Sequence, residues 1–137
     1  MIPILTREAK KFIGALTLDT LSQKRAQPTI PHISLAQQAD LIVIAPATAN
    51  VIGRIANGLA DDLLTETVMA ATCPVLIAPA MNTGMWNNPL VQRNIQTLKD
   101  IGYHFIDTDE GELACGLVGK GRLARIPEIL TAIESLI

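Results

Sequence analysis

Two short, unbroken apolar runs constrain this chain more than any other feature. Leu41-Ile42-Val43-Ile44-Ala45 and Pro74-Val75-Leu76-Ile77-Ala78 are each followed at once by a proline, Pro46 and Pro79. A run of this length without polar alternation reads as a strand buried on both faces, the habit of parallel sheets covered by helices. Helical patterns alternate with them, so the expected fold class is α/β with a parallel sheet. Aromatic residues make up only 3 % of the chain while hydrophobic residues reach 49 %. The core must therefore be built from Ile, Leu, Val and Ala, which suits that architecture.

The remaining elements follow from local signals. Ile2–Leu5 reads as the end of a strand, and residues 7–13 as an amphipathic helix with Ala9, Phe12 and Ile13 on one face. A second short helix is expected over 17–23, with Leu18 and Leu21 inward. His32 opens a helix through Gln38, and Thr48 starts another that runs to Asn57, with Gly58 as its C-cap. Residues 61–71 form a further helix, with Asp61 and Asp62 set against its N-terminal dipole. Asn88-Pro89 opens a helix to Ile101, with proline in the first turn, where a missing N–H costs nothing. Residues 103–106 read as a third strand and 113–115 as a short fourth. Gly116–Gly121 reads as a glycine-rich flap and 127–136 as a closing helix. The whole chain, 1–137, is expected to be a single domain.

Several function classes fall away on composition. A net charge of −2 offers no basic face for nucleic acid. No apolar run approaches the ~20 residues a membrane span needs. Met1–Leu5 lacks the basic leader and the length of a signal peptide. Cys73 and Cys115 lie far apart without a CxxC or a histidine pairing, so neither a disulfide framework nor a metal site is expected, and a cytoplasmic location is.

In open parallel sheets, ligands collect beyond the carboxyl ends of the strands. Three segments fall there: Pro46–Asn50, Pro79–Trp86 and Asp107–Gly121. In the first, small residues such as Ala47 allow a close backbone approach, and Thr48 and Asn50 add a hydroxyl and an amide at a helix start. Thr48 reads equally as a plain N-cap. The second places Met81, Asn82, Met85 and the single tryptophan, Trp86, beyond a strand end. These would line a site for a flat aromatic cofactor, or form a packed loop in which Asn82 satisfies its own backbone. His32, at a helix N-terminus that disfavours imidazolium, is expected neutral and able to take a proton. Cys115 is either a proton donor beside the flap or a small buried hydrophobe. His104, inside a strand, is assigned no role. Lys120 and Arg122 in the flap are free to meet a substrate phosphate.

Taken in order, these motifs resemble the homo-oligomeric flavin-containing cysteine decarboxylases. Pro79-Ala80-Met81-Asn82-Thr83-Gly84-Met85-Trp86 is similar to that family's Pro-x-Met-Asn-x-x-Met-Trp signature at every fixed position. His32-Ile33-Ser34-Leu35 resembles its catalytic-histidine motif, Ala39–Asn50 its flavin-contacting strand and turn, and Leu113–Gly116 with Gly119-x-Gly121 its substrate flap. The resemblance implies a Rossmann-like three-layer flavoprotein fold and FMN-dependent oxidative decarboxylation of a cysteinyl carboxylate. The flavin oxidises the thiol-bearing carbon to a thioaldehyde, carbon dioxide leaves, and the enethiol is reduced by the same flavin. The implied substrate is 4'-phosphopantothenoylcysteine, in coenzyme A synthesis. The alternatives are a peptide's C-terminal cysteine or a non-catalytic binding role. By position, His32 is the base, Asn82 holds the substrate carboxylate and Cys115 is the acid. Met85 and Gly116 also meet the substrate, while Thr6, Phe12, Ala47, Thr48 and Asn50 line the FMN. A homo-oligomer, a trimer or a multiple of it, is implied as well. Two departures stand out. The family opens with a strand and a glycine-rich phosphate turn that have no counterpart here, so the domain is expected to be truncated at its N-terminus. Leu117 stands where the family usually carries Asp after Cys-Gly.

Overall fold

The computed structural model describes residues 1–22, 32–112 and 118–137. Three parallel strands form the sheet: β1 (Ile42–Ala47) and β3 (His104–Phe105) flank β2 (Val75–Pro79). Ile42, Val43 and Ile44 pair with Val75, Leu76 and Ile77, and Leu76 and Ile77 pair in turn with His104 and Phe105. Seven helices are described: α1 (Ala15–Ser22), α2 (His32–Gln38), α3 (Ala49–Ala56), α4 (Leu63–Ala70), α5 (Thr83–Trp86), α6 (Pro89–Asp100) and α7 (Ile126–Glu134). A separate antiparallel hairpin joins β4 (Asp109–Glu112) to β5 (Val118–Arg122).

The pleat of β2 explains the layering. Val75 and Ile77 point to one face, where they meet Ile52 and Ile55 of α3, Leu64 and Val68 of α4, and Ile95 and Leu98 of α6. Ala78 points to the other, against Ala124 and Ile129, the latter on α7. Helix, sheet and helix thus make the three expected layers. Ile52, Ile77 and Leu98 are fully buried, each stabilising the fold by about 1.5–3 kcal/mol through apolar burial.

Local chemistry marks the helix ends as the sequence anticipates. Thr48 caps α3 by accepting from the Val51 N–H, and Gly58 beyond its end has a φ of +69°. Asp62 accepts from the Thr65 N–H at 2.9 Å, and Arg54 Nη1 donates to Asp62 at 2.8 Å, so α4 is tied to α3 by a buttressed cap. Asn88 caps α6, with Pro89 at its first turn.

Other expectations are corrected. Ile2–Leu5 forms no strand: Pro3 lacks a donor for a ladder, and the segment packs through Ile4 against the core instead. The helix expected over 7–13 shrinks to a single 3₁₀ turn, Ala9–Lys11, and Phe12 is 91 % exposed rather than turned inward. Leu21 of α1 is also exposed. β1 is not buried on both faces. Ile44 is buried in the layer of α3, α4 and α6, but Val43 and Ala45 are open: among the described helices, α7 covers the opposite face at β2. Nor does Pro46 end β1: the strand continues through a cis Ala45–Pro46 peptide, and Ala47 pairs with Pro79. Much of the presumed glycine-rich flap is the strand β5. The strand anticipated over 113–115 lies outside the described residues. No described helix is long and apolar enough to cross a membrane.

Candidate functional site

The carboxyl ends of β1 and β2 lie side by side. The Ala80 N–H donates to the Ala47 carbonyl at 2.9 Å, so the two strand ends are stitched together where each hands over to a helix. After β1 comes the first turn of α3. Thr48 occupies the Val51 N–H, which leaves the amides of Ala49 and Asn50 without an intrahelical acceptor. The Asn50 side chain is exposed beside them. Ala47 is fully buried and takes part through its backbone. The plain capping role of Thr48 is therefore present, and its O–H remains a donor.

After β2, the signature segment folds into α5, a single turn that the sequence leaves as loop. Asn82 caps it, its Oδ1 accepting from the Gly84 N–H at 2.8 Å. Met81 and Trp86 pack on the core, and Met85 is 48 % exposed. The hairpin closes over this turn. The Met81 N–H donates to the Gly121 carbonyl at 2.8 Å, and Gly121 has a φ of +119°, beyond the left-handed basin that side-chain-bearing residues visit. A Cβ on Gly121 would sit 2.3 Å from the Met81 carbonyl oxygen, and one on Gly119 would meet the Thr83 Oγ1 at 2.6 Å. At Gly121 glycine is required because two backbones approach too closely for a side chain, and at Gly119 the Thr83 side chain fills the space.

Thr83 was not singled out by sequence reasoning. Its hydroxyl is buried without a hydrogen-bond partner, an arrangement that costs about 1–3 kcal/mol unless a ligand satisfies it. Its position inside the signature was the available signal. Glu66 was also missed. It stands on α4 with Oε2 3.4 Å from His32 Nδ1, and no local pattern links two residues so far apart in the chain.

The remaining anticipated residues distribute unevenly. Thr6 accepts from the Ala9 N–H at 3.1 Å, while Phe12, just past the 3₁₀ turn, is exposed. His32 is the first residue of α2, which packs chiefly on α4, whereas α5 packs on β5 and α6. The helices that start at His32 and just after Asn82 thus have different main packing partners. Cys115, Gly116 and Leu117 lie outside the described residues. Lys120 is not free as expected but stands 3.7 Å from Glu110. Among the described residues no group of His, Cys, Asp or Glu is arranged to hold a metal. A cavity of about 180 Å³, lined by Cys73, Val75 and Tyr103 among others, opens at the opposite end of β2 and is remote from this chemistry. Burial there raises the Tyr103 hydroxyl above its usual pKa.

These residues fit a flat ring with hydrogen-bonding edges. Two free helix-start amides and the Asn50 amide meet an edge, Met85 offers a polarizable surface, and the Thr83 hydroxyl awaits a partner.

Comparison with known proteins agrees with that fit. The family described as Flavoprotein matches residues 2–137. The chain is 51 % identical over 140 residues to the coenzyme A biosynthesis bifunctional protein CoaBC of Bacillus subtilis, covering 96 % of this chain and 34 % of that one. It therefore spans about a third of the length of that bifunctional relative. It is 44 % identical to a probable phosphopantothenoylcysteine decarboxylase of Streptococcus mutans, covering 96 % of this chain and 79 % of that one. Among solved structures, the FMN-dependent cysteine decarboxylase SpaF superimposes with a TM-score of 0.83 at 32 % identity, over 98 % of this chain and 76 % of that one. With the match running nearly end to end, the chain belongs to the flavoprotein family, and its kin there are flavin-dependent cysteine decarboxylases.

Proposed function

We propose that this protein catalyses the FMN-dependent decarboxylation of 4'-phosphopantothenoylcysteine to 4'-phosphopantetheine, a carboxy-lyase step of coenzyme A biosynthesis. The observation that carries the reading is the signature turn at the end of β2, with Asn82 opening α5 and the β4–β5 hairpin fastened over it through Met81 and Gly121. When bound, FMN supplies the two-electron oxidation and re-reduction that make the thiol-bearing carbon an electron sink for the departing carboxylate. Thr6, Phe12, Ala47, Thr48 and Asn50 would hold the flavin, and the start of α3 would offer it hydrogen-bond donors. The Asn82 side-chain amide orients the substrate carboxylate, and Met85 and Gly116 shape the space around it. His32 takes a proton as the base, and Cys115 returns one as the acid. A positioned acid or base of this kind is worth about 10²–10⁴ in rate.

The protein works as a cytoplasmic homo-oligomer, a trimer or a multiple of one. Support comes from Phe12, a large apolar side chain left exposed on a single protomer, which a neighbouring copy can cover. The test is to load the protein with FMN, add 4'-phosphopantothenoylcysteine and measure carbon dioxide and phosphopantetheine. Flavin-loaded protein that releases neither product sinks the assignment. Leu117, in place of the family's usual Asp, leaves room for a second reading in which the substrate is a peptide's C-terminal cysteine. Competition between the two substrates decides between them.

A further inference from the structure

We infer that Glu66 is a positioning residue for His32: its carboxylate holds the imidazole by the Nδ1 proton and leaves Nε2 as the nitrogen that accepts a proton from substrate. The last step rests on the decarboxylation proposed above; the pairing does not.

Ala36 anchors α2 and Thr67 and Val68 anchor α4, all nearly fully buried, and the two helices are each other's main packing partners. The backbones beneath both side chains are thus fixed. Glu66 Oε2 stands 3.4 Å from His32 Nδ1, with the side chains 28 % (His32) and 39 % (Glu66) exposed. That separation is longer than the usual ~2.9 Å, but catalytic hydrogen bonds often tighten only when ligand binds. A neutral imidazole carries one donor and one acceptor nitrogen, and a carboxylate can only accept. Glu66 therefore selects the tautomer with its proton on Nδ1 and the lone pair on Nε2.

His32 is the first residue of α2. Glu66 sets a carboxylate against its ring, and among the described residues no Lys or Arg ion-pairs with that carboxylate. A half-exposed pair contributes little to stability, so its consequence is orientation. The rival explanation is that a carboxylate in the first turn of α4 merely suits that helix's dipole. It predicts no effect on the imidazole.

The experiment uses this protein, loaded with FMN and labelled with ¹⁵N-histidine. Residues 1–137 include two histidines, and the signals lost in His32→Gln are those of His32. Near neutral imidazole, His32 should show a protonated Nδ1 in the native protein, and Glu66→Ala should move the proton to Nε2. With 4'-phosphopantothenoylcysteine as substrate, Glu66→Ala should lower kcat about 10–100-fold, less than the ~10⁴ lost with a buried triad carboxylate. KM and FMN affinity should stay within about twofold, and Glu66→Asp should restore part of kcat. An unchanged His32 tautomer in Glu66→Ala, or an unchanged kcat, overturns the inference. If the native enzyme does not turn over this substrate, the proposed reaction fails while the tautomer shift still decides the pairing.

Discussion

Replacing Gly121 with alanine isolates the contact that fastens the hairpin over the signature turn. Two costs arise together. A φ of +119° lies in a sparsely populated region for any residue with a Cβ, a strain of about 1–3 kcal/mol. The added carbon would also sit 2.3 Å from the Met81 carbonyl oxygen, which is backbone and cannot rotate away. Relief requires lifting the hairpin from the signature turn and losing the 2.8 Å bond from the Met81 N–H to the Gly121 carbonyl, a further ~1 kcal/mol. The sum is roughly 2–4 kcal/mol. Gly58→Ala is the control: φ is +69° with open space around it, so only strain of about 1–2 kcal/mol applies. At about 4 °C per kcal/mol for a chain of this size, Tm should fall roughly 8–16 °C in Gly121→Ala and roughly 4–8 °C in Gly58→Ala. Where the hairpin lifts instead of the whole fold melting, the Met81 amide should lose its protection from hydrogen exchange. Thermal denaturation and amide exchange of the two variants test this. A Gly121→Ala protein no less stable than Gly58→Ala, with Met81 protected as in the native chain, would refute the close-approach argument.

Asp62 should make the fold acid-sensitive. Burial pushes its carboxyl up, but hydrogen bonds from the Thr65 N–H and hydroxyl and from Arg54 outweigh this and hold its pKa below the usual value. A depressed carboxylate stabilises the fold above its unfolded pKa of about 3.9 and loses that contribution as pH falls through the folded value. Urea midpoints between pH 5 and pH 2 should therefore fall less steeply in Asp62→Asn, while Asp62→Ala, which removes the cap outright, should cost about 1–2 kcal/mol at neutral pH. Thr83→Val removes a buried hydroxyl that has no protein partner, so ligand-free protein should keep or gain stability. A lower Tm in ligand-free Thr83→Val would count against that account.

Much of the fold was legible because its signals are local. The unbroken apolar run at β2, the capping residues Thr48 and Asn88, and Pro89 at a first turn act on their own neighbours, and the structure keeps them all. The signature over Pro79–Trp86 likewise located the end of β2 where a site belongs. The half-exposed face of β1 was not legible, because periodicity reports a strand's character and not which layer happens to cover it. β5 was hidden for a related reason: glycines at 119 and 121 look like a loop until Thr83 and Met81 are seen to occupy the space where their side chains would be. His32 and Glu66 are joined only by the packing of α2 on α4. The sequence by itself determined the parallel sheet, the helix ends and the place of the signature turn, since each is decided within a few residues. Tertiary structure alone decided which faces are covered, which glycines are obligatory and which carboxylate meets the histidine, because those follow from contacts between elements that no local pattern encodes.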